Sequence, residues 1–202
     1  MKTYVIYNKK SNNDQGAKGA FRIKEIWTQK ELVYKEVNEF DTYQELFDSI
    51  SPDDEVVVCG GDGSFRGAQK LSQQGINCIC IPCTIDNDIG CCEYTIGYDT
   101  ATNTVVDLVD KLRDTCASHD RCSVVEVMGR HAGWLALGAG IAAGATSIIV
   151  PEVPYDFQKD IVDRMNYTKT LGKHHFIVMV AEGIGDVDQL ARDIEIATGV
   201  ET

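Results

Sequence analysis

The stretch Pro82-Cys83-Thr84-Ile85-Asp86-Asn87-Asp88 places two carboxylates, with an asparagine between them, directly after an apolar run from Ile76 to Ile81. That run is short and bounded by turn residues, which predicts a buried β-strand. Open α/β sheets bind ligands in the crevice at the carboxyl ends of their strands. The positions of Asp86 and Asp88 therefore favour a ligand site. The alternative is an Asx-rich loop whose carboxylates accept hydrogen bonds from their own backbone.

A second predicted strand, Glu55 to Cys59, runs into the glycine loop Gly60-Gly61-Asp62-Gly63-Ser64. Its glycines let the backbone approach a ligand closely, and Ser64 is the predicted N-cap of a helix whose N-terminus attracts anions. The spacing fits neither the P-loop nor the dinucleotide fingerprint, and a strand-to-helix turn without a ligand is the alternative. A glycine loop near an aspartate pair is typical of phosphoryl transfer, which needs backbone N–H groups for phosphate, a carboxylate for Mg²⁺ and a base.

Composition limits the class of protein. The 202 residues are enough for one large or two small domains, and the net charge is -12, from 31 acidic and 19 basic residues. That charge argues against a nucleic-acid partner and against an anionic membrane surface. No apolar stretch approaches the roughly 20 residues of a membrane span, and the N-terminus lacks the parts of a signal peptide. We therefore expect a cytoplasmic protein.

Eight cysteines are present, five of them clustered between Cys78 and Cys92. Cys80 and Cys83 form a CxxC pair, but a zinc site would need a second pair or a nearby histidine, and none is close in sequence. Alternating thiols within a strand act as small apolar side chains. The pattern favours a structural role over a metal or redox site.

Short β-branched runs alternate with amphipathic stretches, which predicts an α/β fold with parallel sheets. Because the strand runs are apolar throughout, we expect strands that are buried on both faces. The predicted strands are Thr3 to Tyr7, Leu32 to Val37, Glu55 to Cys59, Asn77 to Ile81, Cys122 to Met128, Thr146 to Val150 and His175 to Ala181. The predicted helices lie near residues 16–28, 42–50, 64–74, 99–115, 132–143, 157–171 and 187–198.

Two more candidate ligands follow predicted strands. Arg130 comes just after the strand that begins at Cys122, where a guanidinium could fork onto a phosphate, and Glu182 ends the strand that begins at His175. For Arg130, the alternative is a surface arginine that caps a strand. For Glu182, it is a solvated acid. The four histidines are scattered and have no partner that would suggest a catalytic triad.

From Asp54 to Thr202 the chain resembles the ATP-dependent 6-phosphofructokinase family. The matching stretches are residues 60–64 and 82–88, Tyr94-Thr95-Ile96-Gly97, Lys111-Leu112-Arg113-Asp114-Thr115, residues 123–130 and Val150-Pro151-Glu152. The resemblance implies three-layer, Rossmann-like open parallel sheets. It also implies a nucleotide-binding lobe at residues 1–97 and a sugar-phosphate-binding lobe at residues 98–202, the second lobe being incomplete at its C-terminal end.

The resemblance also implies roles on the nucleotide side. The glycine loop (Gly60, Gly61, Asp62, Gly63 and Ser64) would bind ATP, with Asp62 holding Mg²⁺. Gly63 is the residue expected of ATP users, where pyrophosphate users carry aspartate. Position 83 is usually glycine in ATP users and lysine in pyrophosphate users, so Cys83 excludes neither, although the missing lysine favours ATP.

On the sugar side, the resemblance implies that Asp86 is the base for the 1-hydroxyl of fructose 6-phosphate, assisted by Thr84 and Asp88. The sugar phosphate would be held by Met128, Gly129, Arg130 and Glu182. Arg121 matches an arginine that, in the family, reaches the sugar phosphate of a neighbouring subunit, so a homo-oligomer is expected.

Two departures from the family pattern affect this expectation. Residues 1–53 do not match it, and Asn8 and Ser11 resemble instead the first loop of diacylglycerol or lipid kinases, with Lys9 replacing a proline and Asn12 a glycine. The family also continues well beyond Thr202, and the continuation carries further sugar-phosphate contacts. We therefore expect a phosphofructokinase-like kinase whose activity is impaired. The alternatives are a lipid-kinase-like enzyme and a nucleotide-binding or assembly module without catalysis.

Overall fold

The computed structural model describes residues 2–7, 31–36, 45 and 48–202. The described residues form two compact units. The first contains the described residues up to Thr84 together with Ile89–Ile96, and the second contains Ile85–Asp88 and Gly97–Thr202. What each unit binds is a separate question, so the division into a nucleotide lobe and a sugar-phosphate lobe stays a prediction.

The first unit is built on a parallel sheet of four strands in the order β2-β1-β3-β4. These strands are β1 (Thr3–Tyr7), β2 (Leu32–Glu36), β3 (Glu55–Gly60) and β4 (Asn77–Pro82), and helix α1 (Asp62–Gln73) connects the last two. The helix packs Ala68 and Leu71 against alternate residues of β1 and β3. Val5 and Val57, which point to the opposite face, are also buried.

Strand β4 departs from the expectation that every strand is buried on both faces. It lies at the edge of the described sheet, and Ile79 is 49% exposed. Cys78 and Cys80, on the other face, pack partly against the core of the first unit. The expectation was therefore wrong for β4, because an apolar run alone does not distinguish a central strand from an edge strand.

The second unit has a parallel sheet of three strands in the order β5-β7-β6. Its elements are β5 (Cys122–Val127), β6 (Ser147–Ile149), β7 (Phe176–Ala181), α2 (Tyr98–His119), α3 (Trp134–Ala142), a π-helical segment (Phe157–Val162), α4 (Asp163–Thr170) and α5 (Val187–Thr198). All six residues of the central strand β7 are buried. Ile177 and Met179 face the core formed by α2 and α3, whereas Phe176 and Val178 face the core formed by the π-helical segment, α4 and α5. The predicted three-layer α/β architecture is confirmed.

Most predicted elements are confirmed to within a few residues. The helix predicted near 99–115 begins at Tyr98 and continues to His119, and the strand predicted at Thr146 to Val150 is shortened to Ser147–Ile149. The helix predicted near 16–28 lies outside the described residues, and of the one predicted near 42–50 only residue 45 and residues 48–50 are described. Within the described part of the chain, no helix is long and apolar enough to cross a membrane.

Candidate functional site

The glycine loop follows the carboxyl end of β3. Gly61 is the N-cap of α1, its backbone is extended, and no side chain caps the helix. The prediction that Ser64 is the N-cap was therefore wrong: the helix begins at Asp62, two residues earlier than the sequence pattern suggested. A Cβ atom at Gly60 would lie 2.6 Å from the Cβ of Ser64, so the turn requires glycine there. The first turn of α1 thus presents backbone N–H groups without a side-chain cap, as anion sites at helix N-termini do.

Asp62 is the first residue of α1 and is partly exposed. Its carboxylate lies 3.4 Å from the guanidinium of Arg66, one helical turn later. An exposed pair of this kind contributes little to stability, so Arg66 can give way to another cation at small cost. Among the described residues, no group of three or more His, Cys, Asp or Glu side chains is placed to hold a metal. Mg²⁺ in nucleotide sites needs only one or two carboxylates because phosphate oxygens and water complete its coordination, so Asp62 fits that ion.

Thr84 packs directly against the glycine loop. The side chain of Thr84 lies 3.3 Å from the position that a Cβ atom of Gly61 would occupy, and the N–H of Cys83 donates to the carbonyl of Gly60 over 3.0 Å. The carbonyl of Thr84 accepts a 2.6 Å hydrogen bond from the hydroxyl of Thr95, which is buried. Thr95 therefore positions Thr84. No role was predicted for Thr95, although it lies in one of the stretches that resemble the family.

Asp86 and Asp88 belong by their contacts to the second unit, although the residues on either side belong to the first. Ile85 explains this placement, because it packs against the core that contains Tyr98 and Leu135. Asn87, between the two aspartates, has a φ of 53°, in the left-handed region that asparagine tolerates better than most residues. The two carboxylates thus lie on a tight turn that is held in place by the packing of Ile85.

The predicted sugar-phosphate ligands are brought together at the carboxyl ends of β5 and β7. These strands are neighbours, with Val127 paired to Ala181, so Met128 and Glu182 leave the sheet side by side. The N–H of Glu182 donates to the carbonyl of Val127, and the carboxylate of Glu182 accepts a hydrogen bond from the N–H of Arg130.

The turn that carries Arg130 is held in an uncommon backbone conformation. Arg130 has a φ of 55° and Gly129 a φ of 151°. A Cβ atom at Gly183, whose φ is 89°, would lie 2.6 Å from the carbonyl oxygen of Arg130. Left-handed backbone in a non-glycine residue persists only where its surroundings enforce it, and such conformations cluster at ligand sites. Here the carboxylate of Glu182 and the bare backbone of Gly183 enforce it.

Arg121 lies at the other end of β5, directly before Cys122. Its guanidinium forms a 2.6 Å ion pair with Glu201, and its Nε is buried without a hydrogen-bond partner. The structure therefore does not bring Arg121 together with Arg130 and Glu182 at the carboxyl edge. Its role toward a neighbouring subunit stays a prediction.

Comparison with known proteins gives one consistent family. The profile of the phosphofructokinase family matches residues 26–202. The ATP-dependent 6-phosphofructokinase 1 of Clostridium perfringens is 55% identical over 147 residues, which are 73% of this chain and 46% of the relative. The ATP-dependent 6-phosphofructokinase of Bacillus thuringiensis is 52% identical over the same length and the same shares. The chain thus spans about half the length of the curated relatives it matches.

Solved structures agree on the fold. Phosphofructokinase from Saccharomyces cerevisiae matches with a TM-score of 0.66 and 30% identity, over 79% of this chain and 25% of that one. A pyrophosphate-dependent phosphofructokinase from Marinobacter aquaeolei matches with a TM-score of 0.75 over 100% of this chain and 67% of that one. At 19% identity the second likeness concerns the fold alone.

The comparisons correct one expectation about the N-terminal segment. Residues 26–53, which were expected to depart from the family, lie inside the phosphofructokinase match. The resemblance of residues 1–53 to lipid kinases has no support from these comparisons, and Asn8 and Ser11 lie outside the described residues.

Proposed function

The chain belongs to the phosphofructokinase family, and from this premise we propose that it transfers the γ-phosphoryl group of Mg-ATP to the 1-hydroxyl of fructose 6-phosphate. One observation carries the proposal: the main candidate groups for this chemistry each follow the carboxyl end of a parallel strand. The glycine loop follows β3, the aspartate pair follows β4, Arg130 follows β5 and Glu182 follows β7. Open parallel sheets bind ligands at their carboxyl edges, so each of the two sheets carries its own candidate groups there.

On the donor side, the uncapped first turn of α1 and the glycine loop would hold the phosphates of ATP through backbone N–H groups. Asp62 would hold Mg²⁺, which when bound neutralises charge on the phosphoryl oxygens. Thr84, packed on Gly61 and fixed by the hydroxyl of Thr95, would keep the loop from closing on itself.

On the acceptor side, Asp86 would accept the proton of the attacking sugar hydroxyl, with Asp88 and Thr84 assisting. Arg130 would form a forked pair with the sugar phosphate, because a planar guanidinium matches the geometry of a phosphate group. Glu182 holds the Arg130 backbone and would also accept hydrogen bonds from sugar hydroxyls. Met128, which is exposed, would cover the apolar face of the sugar. In a homo-oligomer, Arg121 would have to exchange Glu201 for the sugar phosphate of a neighbouring subunit.

We favour ATP over pyrophosphate as the donor. Apart from its chain neighbours and the backbone of its own helix, no atom lies within 4 Å of the position that a Cβ atom of Gly63 would occupy, so packing does not require glycine there and an aspartate would fit. An aspartate there, as the family's pyrophosphate users carry, would place a second negative charge beside the phosphates. The two curated relatives described above are both named as ATP-dependent.

A coupled assay of ADP release with Mg-ATP and fructose 6-phosphate tests the proposal. Replacing Asp86 by Asn should lower turnover by roughly 10²- to 10⁴-fold, the usual contribution of a general base, while the affinity for Mg-ATP measured by calorimetry stays the same. Asp107→Asn, on the exposed side of α2, is the matched control and should behave as the wild type.

Other outcomes of the same assay would identify the alternatives. Faster phosphoryl transfer from pyrophosphate than from ATP would refute ATP as the donor. Phosphorylation of diacylglycerol in place of fructose 6-phosphate would favour the lipid-kinase-like enzyme, whose N-terminal start stays a prediction. Binding of Mg-ATP without any turnover would indicate a nucleotide-binding module.

A further inference from the structure

All eight cysteines lie within the described residues and all are free thiols, but two of them are placed differently from the rest. Cys59 is in β3, directly before Gly60, and Cys83 directly follows β4. Cys59 is paired in register with Ile81, two residues before Cys83. Because side chains alternate along a strand, Cys83 continues the face on which Cys59 lies. The two thiols therefore lie on the same face, at the ends of neighbouring strands.

The two thiols differ in reactivity because of this proximity. A hydrogen bond from Cys59 lowers the pKa of the Cys83 thiol, although its partial burial opposes this. The same hydrogen bond, reinforced by burial, raises the pKa of Cys59. A thiolate is the nucleophile of thiol–disulfide exchange, so Cys83 is the attacking sulfur and Cys59 the resolving one.

We propose that Cys59 and Cys83 are a redox modification site, which a small disulfide such as oxidised glutathione converts into a reversible intramolecular disulfide. The Cys83 thiolate attacks one sulfur of the small disulfide, which forms a mixed disulfide and releases one small thiolate. Cys59 then loses its proton and attacks the Cys83 sulfur, which releases the second small thiolate. The two protein thiols are oxidised by two electrons, and the small disulfide is reduced to two thiols.

The bridge would change the glycine loop because of where the two cysteines lie. A disulfide brings its sulfurs to about 2.05 Å, closer than two hydrogen-bonded thiols, so the ends of β3 and β4 must move toward each other. Gly60 follows one cysteine and Thr84 the other, and Thr84 already packs on Gly61. Closing the bridge therefore presses Thr84 into the loop. This consequence, unlike formation of the bridge, rests on the proposed nucleotide site.

The bridge itself is tested by mass spectrometry of the intact chain after incubation with oxidised glutathione. We expect the loss of two hydrogen masses, reversed by dithiothreitol. Trypsin separates the two cysteines, because Cys59 lies in peptide 36–66 and Cys83 in peptide 71–111. The second peptide also contains Cys78, Cys80, Cys91 and Cys92, so fragmentation must place the link at Cys83.

Serine variants make the assignment independent of fragmentation. Cys59→Ser and Cys83→Ser should each abolish the bridge. Cys83→Ser should also escape glutathionylation at this site. Cys59→Ser should instead retain glutathione on Cys83. Cys91→Ser, which removes an exposed thiol, should still form the bridge. A link between any other pair of cysteines, or glutathione retained on Cys83 of the wild type, would overturn the proposal.

The functional consequence is measured separately, by calorimetry with Mg-ATP. Oxidation should weaken nucleotide affinity of the wild type by about fivefold or more, and dithiothreitol should restore it. In Cys59→Ser the same treatment followed by deglutathionylation should leave the affinity of that variant unchanged. A mapped bridge with unchanged Mg-ATP affinity would refute the effect on the loop. A reduced chain that does not bind Mg-ATP would refute the proposed function and leave the mapped bridge standing.

Discussion

At the scale of single residues, Glu182 has two roles that mutation can separate. Its carboxylate accepts the N–H of Arg130 and thereby holds the left-handed turn on which the guanidinium is carried. Hydrogen bonds to charged groups contribute about 1.5–3 kcal/mol. Glu182→Ala should therefore weaken the binding of fructose 6-phosphate by roughly tenfold or more. Calorimetry should find Mg-ATP affinity unchanged in the same variant.

Two further variants sharpen this test. Glu182→Gln keeps an oxygen that can accept from Arg130 and should retain part of the affinity, because the turn is preserved while the charge is lost. Glu195→Ala removes an exposed carboxylate from α5 and should bind fructose 6-phosphate as the wild type does. If Glu182→Ala bound the sugar phosphate with full affinity, neither role would stand.

Asp54 is a residue whose contribution to stability depends on pH. It is buried, and the backbone N–H of Lys2, with that of Ser51, lowers the pKa of its carboxyl below the ordinary 3.8 against the opposing effect of burial. A carboxyl with a lowered pKa stabilises the fold above its unfolded value, and this contribution is lost as the pH falls through the folded value. Asp54→Ala should lower the Tm at pH 7, and the difference from the wild type should shrink below about pH 4.

The neighbouring Asp53 supplies the control for that measurement. Its side chain is exposed, so Asp53→Ala should leave the Tm at pH 7 nearly unchanged. A deficit of Asp54→Ala that stayed constant from pH 7 to pH 3 would show that the ionised carboxylate is not the stabilising form.

At the scale of helices and strands, two glycines inside helices should respond to alanine in opposite ways. A Cβ atom at Gly140 of α3 would lie 2.8 Å from Ile148 of β6 and 3.3 Å from the Cβ of Met179, so the helix packs closely on the sheet there. Overpacking of a core costs about 1–3 kcal/mol. At Gly67 of α1 no atom other than its chain neighbours and the helix's own backbone lies within 4 Å of such a Cβ, and alanine gains about 0.5–1 kcal/mol of helix propensity. Thermal melts should show a lower Tm for Gly140→Ala and a higher Tm for Gly67→Ala.

Equal shifts of the Tm in the two variants would contradict this account. Both substitutions remove the same backbone freedom from the unfolded chain, so the comparison isolates the packing of α3 against β6 and β7. A raised Tm for Gly140→Ala would mean that Ile148 moves aside at no cost.

The elements show what sequence patterns can and cannot predict. The strands were predictable because short apolar runs that alternate with amphipathic stretches have few other solutions in a parallel sheet. The segment predicted as one helix near 157–171 instead begins as a π-helix, Phe157–Val162, and continues as α4. A change in hydrogen-bond register of one residue leaves the apolar pattern nearly intact, so periodicity does not reveal it.

The candidate site was predictable to a similar degree. Arg130 and Glu182 could be predicted as candidates because each directly follows the carboxyl end of a strand, where open parallel sheets bind ligands. Thr95 was missed because its importance comes from a hydrogen bond to Thr84, eleven residues earlier along the chain. The contact between Cys59 and Cys83 was missed for the same reason, since it depends on the register of β3 against β4. Local sequence therefore predicts candidate ligands more readily than it predicts the residues that position them.

At the scale of the whole molecule, an apolar stripe on α3 bears on the expected homo-oligomer. The stripe consists of Trp134, Leu137 and Ile141, which follow the helical spacing and are all exposed. Ile141, at its end, is 67% exposed. Contiguous exposed apolar surface on a helix marks an interaction site more often than isolated apolar residues do. We predict that the chain self-associates through this stripe.

Sedimentation velocity over a range of concentrations measures this association. Ile141→Lys places a charge in the apolar contact and should raise the dissociation constant by about tenfold or more, because burying an unpaired ammonium group is costly. Ile196→Lys is the matched control. Ile196 is 82% exposed on α5, so this substitution should leave the association unchanged. Equal effects of the two variants would show that α3 is not the interface. A wild type that stays monomeric at about 100 µM would contradict the homo-oligomer itself, and with it the role of Arg121 toward a neighbouring subunit.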